Sequence, residues 1–192
     1  MTHPTDAPDQ PARREALQSL AGIALAAGAA ASSPSHAAPA KPPGKPGDFD
    51  FLTGEWRIAH RQRPGGKGDW ITFKGEATCW SLLGGVGHVE ELRIPERNFS
   101  GMGLRLLDVD KRLWHDFWVN AKSGVLVPPG MTGHFEGGIA TFTAEEKENG
   151  KPLLIRGVWD RITPGSCRWH QAVSRDGGRS WEENWWMDWT RA

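Results

Sequence analysis

The residues of this sequence that could do chemistry are polar side chains set among tryptophans. The chain has 11 Trp in 192 residues, and several have a polar residue two positions further on. Residues two apart share one face of a strand. A face that is aromatic with a few convergent polar groups is typical of a site for a small, partly apolar ligand. The predicted ligand-binding residues are His60, Arg105, Trp118, Asn120, Trp159, Arg161, Gln171 and Trp185.

The same residues leave an enzyme open as an alternative. His60 shares a face with Trp56 and Ile58, so we expect it inside the fold, where an imidazole can act as acid or base. Arg105 or Arg161 would then stabilise a developing anion.

A third interpretation is a structural or interaction module. In this case the folded domain has no cavity, the tryptophans form its core, and the outer surface binds a partner. An exposed apolar patch marks such a surface. The residues that would belong to the patch are Trp70, Trp80 and Trp186.

Several kinds of chemistry are not predicted. The sequence has no Gly-x-Ser-x-Gly motif, phosphate-binding glycine loop or dinucleotide motif. Its histidines are isolated, although His88 and Glu90 share a face, so we expect no metal site. Lys plus Arg and Asp plus Glu are equal at 23 each. A chain without a basic footprint is not expected to bind nucleic acid.

The elements that position these residues read as strands. Alternating runs recur every ten to fifteen residues, and turns rich in Gly, Pro, Asn or Asp separate them. This pattern predicts an all-β domain over residues 49–192, an antiparallel up-and-down barrel of about nine or ten strands. The runs are 55–63, 69–80, 87–94, 101–109, 113–121, 133–146, 152–162, 167–175 and 181–191.

The N-terminus reads as an export signal. Arg13 and Arg14 precede an uncharged stretch, and Ser35 and Ala37 suit a signal peptidase. Residues 1–37 are therefore predicted to be a signal peptide that resembles the twin-arginine type, with a general secretion signal as the alternative. Residues 38–48 form a Pro/Gly-rich linker that we expect to be disordered. The mature protein is expected in the periplasm or outside the cell, with no membrane association after cleavage.

Cys79 and Cys167 each lie within an apolar run. The export signal implies a compartment that permits disulfides. Spacing alone does not show whether the two sulfurs meet. The apolar surroundings favour two small buried hydrophobic residues, with a disulfide as the alternative.

Two stretches carry a family resemblance. The segment "FLTGEWRIAH" resembles the opening strand of lipocalin-like calycin barrels, which begins with Gly-x-Trp. Residues 48–192 also resemble the bacterial domain-of-unknown-function family 1579, which is grouped with those barrels. The resemblance implies that Arg191 lies over Trp56 and plugs one barrel end. Heme-binding nitrobindins share the opening but not its continuation, and no His follows His170. We therefore expect no heme.

The segment "SRDGGRSW", residues 174–181, matches the Asp-box of sialidase propellers. A single copy predicts a hairpin turn rather than a sialidase. In this turn Asp176 would bond loop N–H groups, the glycines would take positive φ, and Trp181 would pack beneath.

Overall fold

The structure, a computed structural model, describes residues 43–66 and 68–192. The predicted signal peptide, 1–37, and the first part of the predicted linker, 38–42, lie outside the described residues. Within the described residues, no helix is long and apolar enough to cross a membrane.

Ten strands follow one another along the chain. Each pairs antiparallel with the next, and the last pairs with the first, which closes a barrel. The predicted all-β, up-and-down barrel is therefore confirmed. The strands are β1 (Gly54–Gln62), β2 (Ile71–Leu82), β3 (Gly87–Ile94), β4 (Phe99–Asp108), β5 (Leu113–Asn120), β6 (Met131–Glu136), β7 (Ile139–Glu148), β8 (Lys151–Asp160), β9 (Ser166–Ser174) and β10 (Glu182–Arg191).

The alternation of side chains determines which face of each strand is inside. In β1, Trp56, Ile58 and His60 are buried, whereas Glu55 and Arg57 on the opposite face are exposed. Burying an apolar side chain of this size stabilises the fold by roughly 1.5–3 kcal/mol. A register slip of one residue would expose the whole row, so this pattern fixes how β1 pairs with β2 and β10.

The sixth predicted run, 133–146, is two strands rather than one. Gly137 and Gly138 lie between β6 and β7 and have φ values of 58° and 81°. Glycine adopts positive φ without steric cost, so this pair makes a tight hairpin turn. The prediction of a single strand was wrong because the glycines lie within an otherwise continuous alternating pattern.

The end of the barrel where β1 begins and β10 ends, here called the closed end, is plugged. The Arg191 guanidinium lies 4.1 Å from the Trp56 ring centroid and donates to the Phe51 carbonyl oxygen at 2.7 Å. The Trp56 indole N–H donates to the Leu52 carbonyl oxygen at 2.7 Å. The predicted contact between Arg191 and Trp56 is confirmed.

Residues 43–48 are held against the closed end. The Gly44 amide donates to the Arg112 carbonyl oxygen at 3.1 Å, and the Gly47 amide donates to that of Gly85 at 2.9 Å. The Asp48 carboxylate accepts a 3.1 Å hydrogen bond from Trp114 Nε1. For these residues the prediction of a disordered linker was wrong. Backbone amides hold this segment in place, and a sequence without large apolar side chains gives no sign of such contacts.

The hairpin between β9 and β10 has the predicted Asp-box geometry. Asp176 accepts hydrogen bonds from the Ser180 amide at 2.9 Å and the Ser180 hydroxyl at 2.6 Å. Gly177 and Gly178 have positive φ values of 72° and 88°. Trp181 donates to the Gly178 carbonyl oxygen at 3.1 Å. The turn therefore fixes where β10 begins.

Cys79 and Cys167 are buried and unbonded to each other. Burial raises the pKa of both thiols, to about 12 for Cys167. The thiols therefore stay protonated and pack as small apolar groups, as favoured by the sequence.

Candidate functional site

The strand pairing of the barrel wall is incomplete between β5 and β7 at one end. β6 is short and pairs with β5 only along residues 114–116, and with β7 only as far as Thr143. The ends of β5 (117–120) and β7 (144–148) therefore have no β6 residue beside them. The loop 121–130 connects β5 to β6 at this end, which is opposite the closed end.

A cavity of about 550 Å³ lies behind this gap. It is enclosed by strand residues of eight strands and by the end of the loop 121–130. Its lining residues are Glu90, Leu92, Phe99, Gly103, Arg105, Asp116, Phe117, Trp118, Val127, Pro128, Pro129, Gly130, Met131, Ala144, Glu145, Glu146, Ile155, Trp159, Trp169, Gln171, Trp185, Met187 and Trp189.

Tryptophans from neighbouring strands form one side of the cavity. The rings of Trp159 and Trp189 lie 5.3 Å apart, and those of Trp169 and Trp185 meet edge to face at 6.0 Å. The β8–β9–β10 register places these residues side by side, since Trp159 is opposite Trp169. Trp118 lies across the cavity at the entrance and is 42% exposed. The wall can contact an apolar ligand from several directions.

The polar part of the cavity is a buried ion cluster. Arg105 Nη2 donates to Glu90 Oε2 at 2.7 Å, and Arg105 Nε lies 3.5 Å from Asp116 Oδ1 without a hydrogen bond. The guanidinium also lies 5.1 Å from the ring centroids of both Phe49 and Trp159. Because β3, β4 and β5 are neighbours in the sheet, all three ionised residues share one wall.

The cluster shifts the ionisation of its members. Burial raises the pKa of Asp116 to about 6, and the Arg105 charge offsets this only in part. Burial by itself lowers the pKa of Arg105, but Asp116 and Glu90 outweigh it and hold the pKa above its usual value. Burial and the charge of Arg105 lower the pKa of His88 to about 3. At neutral pH, Arg105 is charged and His88 is neutral.

Two indole N–H groups beside the cavity lack a hydrogen-bond acceptor within the described part of the chain. They are Nε1 of Trp159 and Nε1 of Trp189, and each residue is 1% exposed. A buried donor without an acceptor costs about 1–3 kcal/mol. Both N–H groups are sealed from the cavity in this structure, so the cost belongs to the packing of the tryptophan wall.

Five of the eight residues predicted to bind a ligand line the cavity: Arg105, Trp118, Trp159, Gln171 and Trp185. The structure therefore brings together side chains from β4, β5, β8, β9 and β10. Gln171 Nε2 donates to Asn184 Oδ1 at 3.0 Å, which fixes its amide beside Trp169 and Trp185. That these five bind a ligand stays a prediction.

The other three predicted site residues lie away from the cavity. Arg161 follows the last residue of β8, has a φ of 51° and is exposed, so its predicted inward position was wrong. The Asn120 side chain accepts a 2.9 Å hydrogen bond from the Lys122 amide and so stabilises the turn after β5. His60 is inside the barrel but reaches the cavity only through Trp185.

His60 is sealed in packing. It is 2% exposed, stacks on Phe73 at 4.5 Å, and accepts a 3.2 Å hydrogen bond from Trp185 Nε1 at its Nδ1. Burial, then the charge of Arg97, lowers its pKa to about 4. An acid or base must reach the proton that it transfers. The alternative in which His60 is the catalytic group is therefore not supported.

The ligand-binding residues predicted from the sequence did not include five residues that line the cavity: Glu90, Asp116, Trp169, Met187 and Trp189. A signal existed for Asp116, which shares a strand face with Trp118, and for Trp169, which shares one with Gln171. Glu90 was noted only beside His88. Its role depends on the adjacent Arg105, and strand alternation does not reveal which residues are cross-strand neighbours.

Within the described residues, no group of three or more His, Cys, Asp or Glu side chains has the geometry to hold a metal ion. The expectation that the protein needs no metal or heme stays a prediction. The chemistry that the cavity offers is aromatic contact, hydrogen bonding by Gln171, and the charges of the ion cluster.

The fold and the cavity define a closed, ten-stranded antiparallel barrel with an aromatic interior site. No family model matches the sequence, and none of the curated proteins matches it. The resemblance to family 1579 therefore stays a prediction.

One solved structure that matches is a protein of unknown function from the DUF3598 family of Nostoc punctiforme. The two chains are 13% identical with a TM-score of 0.43. The match covers 79% of this chain and 50% of the other, so this chain spans about half the length of that protein. The similarity assigns neither a ligand nor an activity to this chain.

Proposed function

We propose that this protein binds a small, partly apolar molecule in the tryptophan-lined cavity of its barrel. The observation that carries the proposal is the cavity itself, whose volume is about 550 Å³. Ligand sites usually measure roughly 300–1,000 Å³. A solid barrel, the condition of the third interpretation, would have no such space.

The lining supports a ligand rather than an unfilled packing defect. Natural cores are close-packed and have few voids larger than a water molecule. Here the void is lined by tryptophans from several strands and by the ionisable side chains of Glu90, Arg105 and Asp116. It also lies behind the interruption in strand pairing between β5 and β7, which we propose as the entrance.

Tryptophan fluorescence tests the proposal. The mature barrel is titrated with a panel of small aromatic and aliphatic compounds, and binding is verified by native mass spectrometry. We expect saturable binding of one molecule per barrel with a change in emission. In Trp185→Phe this change should shrink, whereas the surface variant Trp80→Phe should keep it. A panel in which no compound binds would contradict the proposal.

We propose further that the protein is exported to the periplasm or secreted, and that it acts without heme, metal or nucleic acid. The support is the signal-like segment 1–37 and the equal numbers of acidic and basic residues. Mass spectrometry of the purified native protein tests both points. We expect a mature N-terminus near residue 38 and no stoichiometric metal. A retained N-terminus in the cytoplasm would contradict export.

A second candidate function, binding of a partner by the outer surface, is favoured by one observation. Leu82, Leu83 and Leu106 converge over Gly87 on the outside of β2–β4, and Trp80 lies next to them. Trp80 is 44% exposed and Leu83 is 75% exposed. Exposed apolar patches of this kind mark interaction sites. Leu106→Glu should abolish capture of a partner without lowering ligand binding in the cavity. Unchanged partner capture would remove this candidate.

A further inference from the structure

The charges that line the cavity are unbalanced. Four carboxylate residues line it, and Arg105 is its single Lys or Arg. Glu90 and Asp116 are largely buried, Glu146 lies exposed at the rim on the inner face of β7, and its neighbour Glu145 alternates to the outer face. Arg105 is held by a short hydrogen bond to Glu90. One guanidinium can compensate one carboxylate fully, so the cavity keeps an excess of negative charge.

Of the two largely buried carboxylates, Glu90 and Asp116, Asp116 has the weaker protein partner. It lies 3.5 Å from Arg105 Nε but accepts no hydrogen bond from the described residues. Its side chain is 15% exposed, and it is a lining residue, so its accessible surface faces the cavity. An ionised carboxylate in an enclosed site is costly unless it is paired and hydrogen-bonded. A positively charged donor inside the cavity would meet both needs.

The aromatic faces suit the same kind of group. Trp118 lines the cavity from the same strand face as Asp116, and the partly exposed Trp169 and Trp185 lie on the wall formed by β8–β10. Cations bind the faces of aromatic rings, Trp best of all, and aromatic cages are used to recognise ammonium ligands. Carboxylates and indole faces both favour positive charge.

We propose that the cavity is selective for organic cations, with the ammonium group of the ligand beside Asp116 and its apolar body against the tryptophans. This inference rests on the proposed ligand-binding function. It differs from the sequence-based hypothesis in which Arg105 stabilises an anion. Arg105 is occupied by Glu90, and an anionic ligand would lie among carboxylates in a site of low dielectric constant.

Three compounds with one skeleton test the charge preference: 4-phenylbutylamine, 4-phenylbutanol and 4-phenylbutyrate. Dissociation constants are measured by calorimetry with the mature barrel at pH 7.5. We expect the amine to bind at least ten times more tightly than the alcohol, and the carboxylate to bind most weakly. If the alcohol or the carboxylate binds as tightly as the amine, the inference is wrong and the ligand-binding function stands. Absence of binding by all three would contradict both.

Two variants locate the effect. Asp116→Asn keeps the shape of the side chain. It should lower the affinity for the amine at least tenfold and change the affinity for the alcohol less than twofold. Asp188→Asn, on the exposed face of β10, is the matched control and should change neither. If Asp116→Asn does not fold, Glu146→Gln at the entrance replaces it, with an expected amine-specific loss of two- to threefold. An equal loss for both compounds would overturn the assignment of the ammonium group to this side of the cavity.

Discussion

The guanidinium of Arg191 lies over the indole of Trp56, 4.1 Å from its ring centroid, and joins the last strand to the first. Its edges donate to the carbonyl oxygens of Phe51 and Pro164 at 2.7 and 3.2 Å. Arg191 therefore holds together the segment that precedes β1 and the turn between β8 and β9. Arginine is suited to this position because its plane stacks while its edge N–H groups reach carbonyls.

Trp56→Ala should destabilise the barrel by about 3–5 kcal/mol, because a large buried side chain is removed. Arg191→Ala should cost less, and the double variant should lose less than the sum of the two single losses. Chemical denaturation of the three variants measures the coupling. Strictly additive losses would show that the contact between the Arg191 guanidinium and the Trp56 indole contributes nothing to stability.

Gly101 is expected to control the position of Trp118 at the cavity entrance. A Cβ built on Gly101 would lie 2.3 Å from Trp118 Cζ2, so Gly101→Ala should displace the indole. We expect a loss of roughly 1–3 kcal/mol in stability, typical of overpacking. Weaker ligand binding should accompany it. Trp118→Leu in the Gly101→Ala background should recover part of the stability. If no stability is recovered, the strain arises instead at the Val119 carbonyl oxygen, which would lie 2.8 Å from the added Cβ.

Stability should fall as the pH is lowered from about 6.5 towards 4. The folded-state pKa values of His60 and His88 are lowered to about 4 and about 3. Between these values and 6.5 the unfolded chain binds protons that the folded chain does not, so acid favours unfolding. Asp116 has a raised pKa, so its protonation stabilises the folded state as the pH falls below about 6. This single group opposes the two histidines and does not outweigh their combined effect.

For His60 the effect amounts to roughly 3 kcal/mol. His60→Gln should therefore flatten the pH dependence of the unfolding free energy between pH 4.5 and 7, whatever its effect at pH 7. His134→Gln, at a half-buried position, is the control and should keep the slope of the unmodified protein. An unchanged slope in His60→Gln would contradict a neutral, buried imidazole in the folded state.

Much of the fold follows from the sequence because strand alternation is a local property. It placed Trp56, Ile58 and His60 inside, and the Gly-x-Trp resemblance placed Arg191 over Trp56. Strand alternation gave the wrong face at strand ends, where a single residue decides whether the strand continues. Arg161 would share the inner face with Trp159 if β8 continued, but the backbone turns to positive φ at Arg161 itself.

The site was less predictable than the fold because it depends on cross-strand neighbours and on strand length. The sequence identified Arg105 but not its partner Glu90, which lies 15 residues earlier on the adjacent strand. It also did not indicate that β6 would be too short to cover the ends of β5 and β7. That gap decides where the cavity opens, and it arises because the chain after β5 runs as the loop 121–130, so that β6 begins only at Met131, opposite Asp116.

Binding of an organic cation should weaken as Asp116 is protonated. The pKa of Asp116 is raised to about 6 by burial, and a bound cation would lower it again. The affinity of 4-phenylbutylamine should therefore be constant above pH 7 and should fall as the pH drops below about 6. Calorimetry at several pH values measures this, and 4-phenylbutanol serves as the uncharged control. An amine affinity that rises with acidity would contradict the role of Asp116.

If the ligand occupies the cavity, filling the cavity must block its binding. Ala144 lines the cavity on β7, whereas its neighbour Thr143 is exposed on the outer face. Ala144→Phe and Thr143→Phe add the same side chain on opposite sides of the wall. The measurement is the dissociation constant of 4-phenylbutylamine, or of any compound found in the fluorescence panel, for the two folded variants. We expect at least a tenfold loss of affinity in Ala144→Phe and less than a twofold change in Thr143→Phe. Equal affinities in the two variants would show that the ligand binds elsewhere.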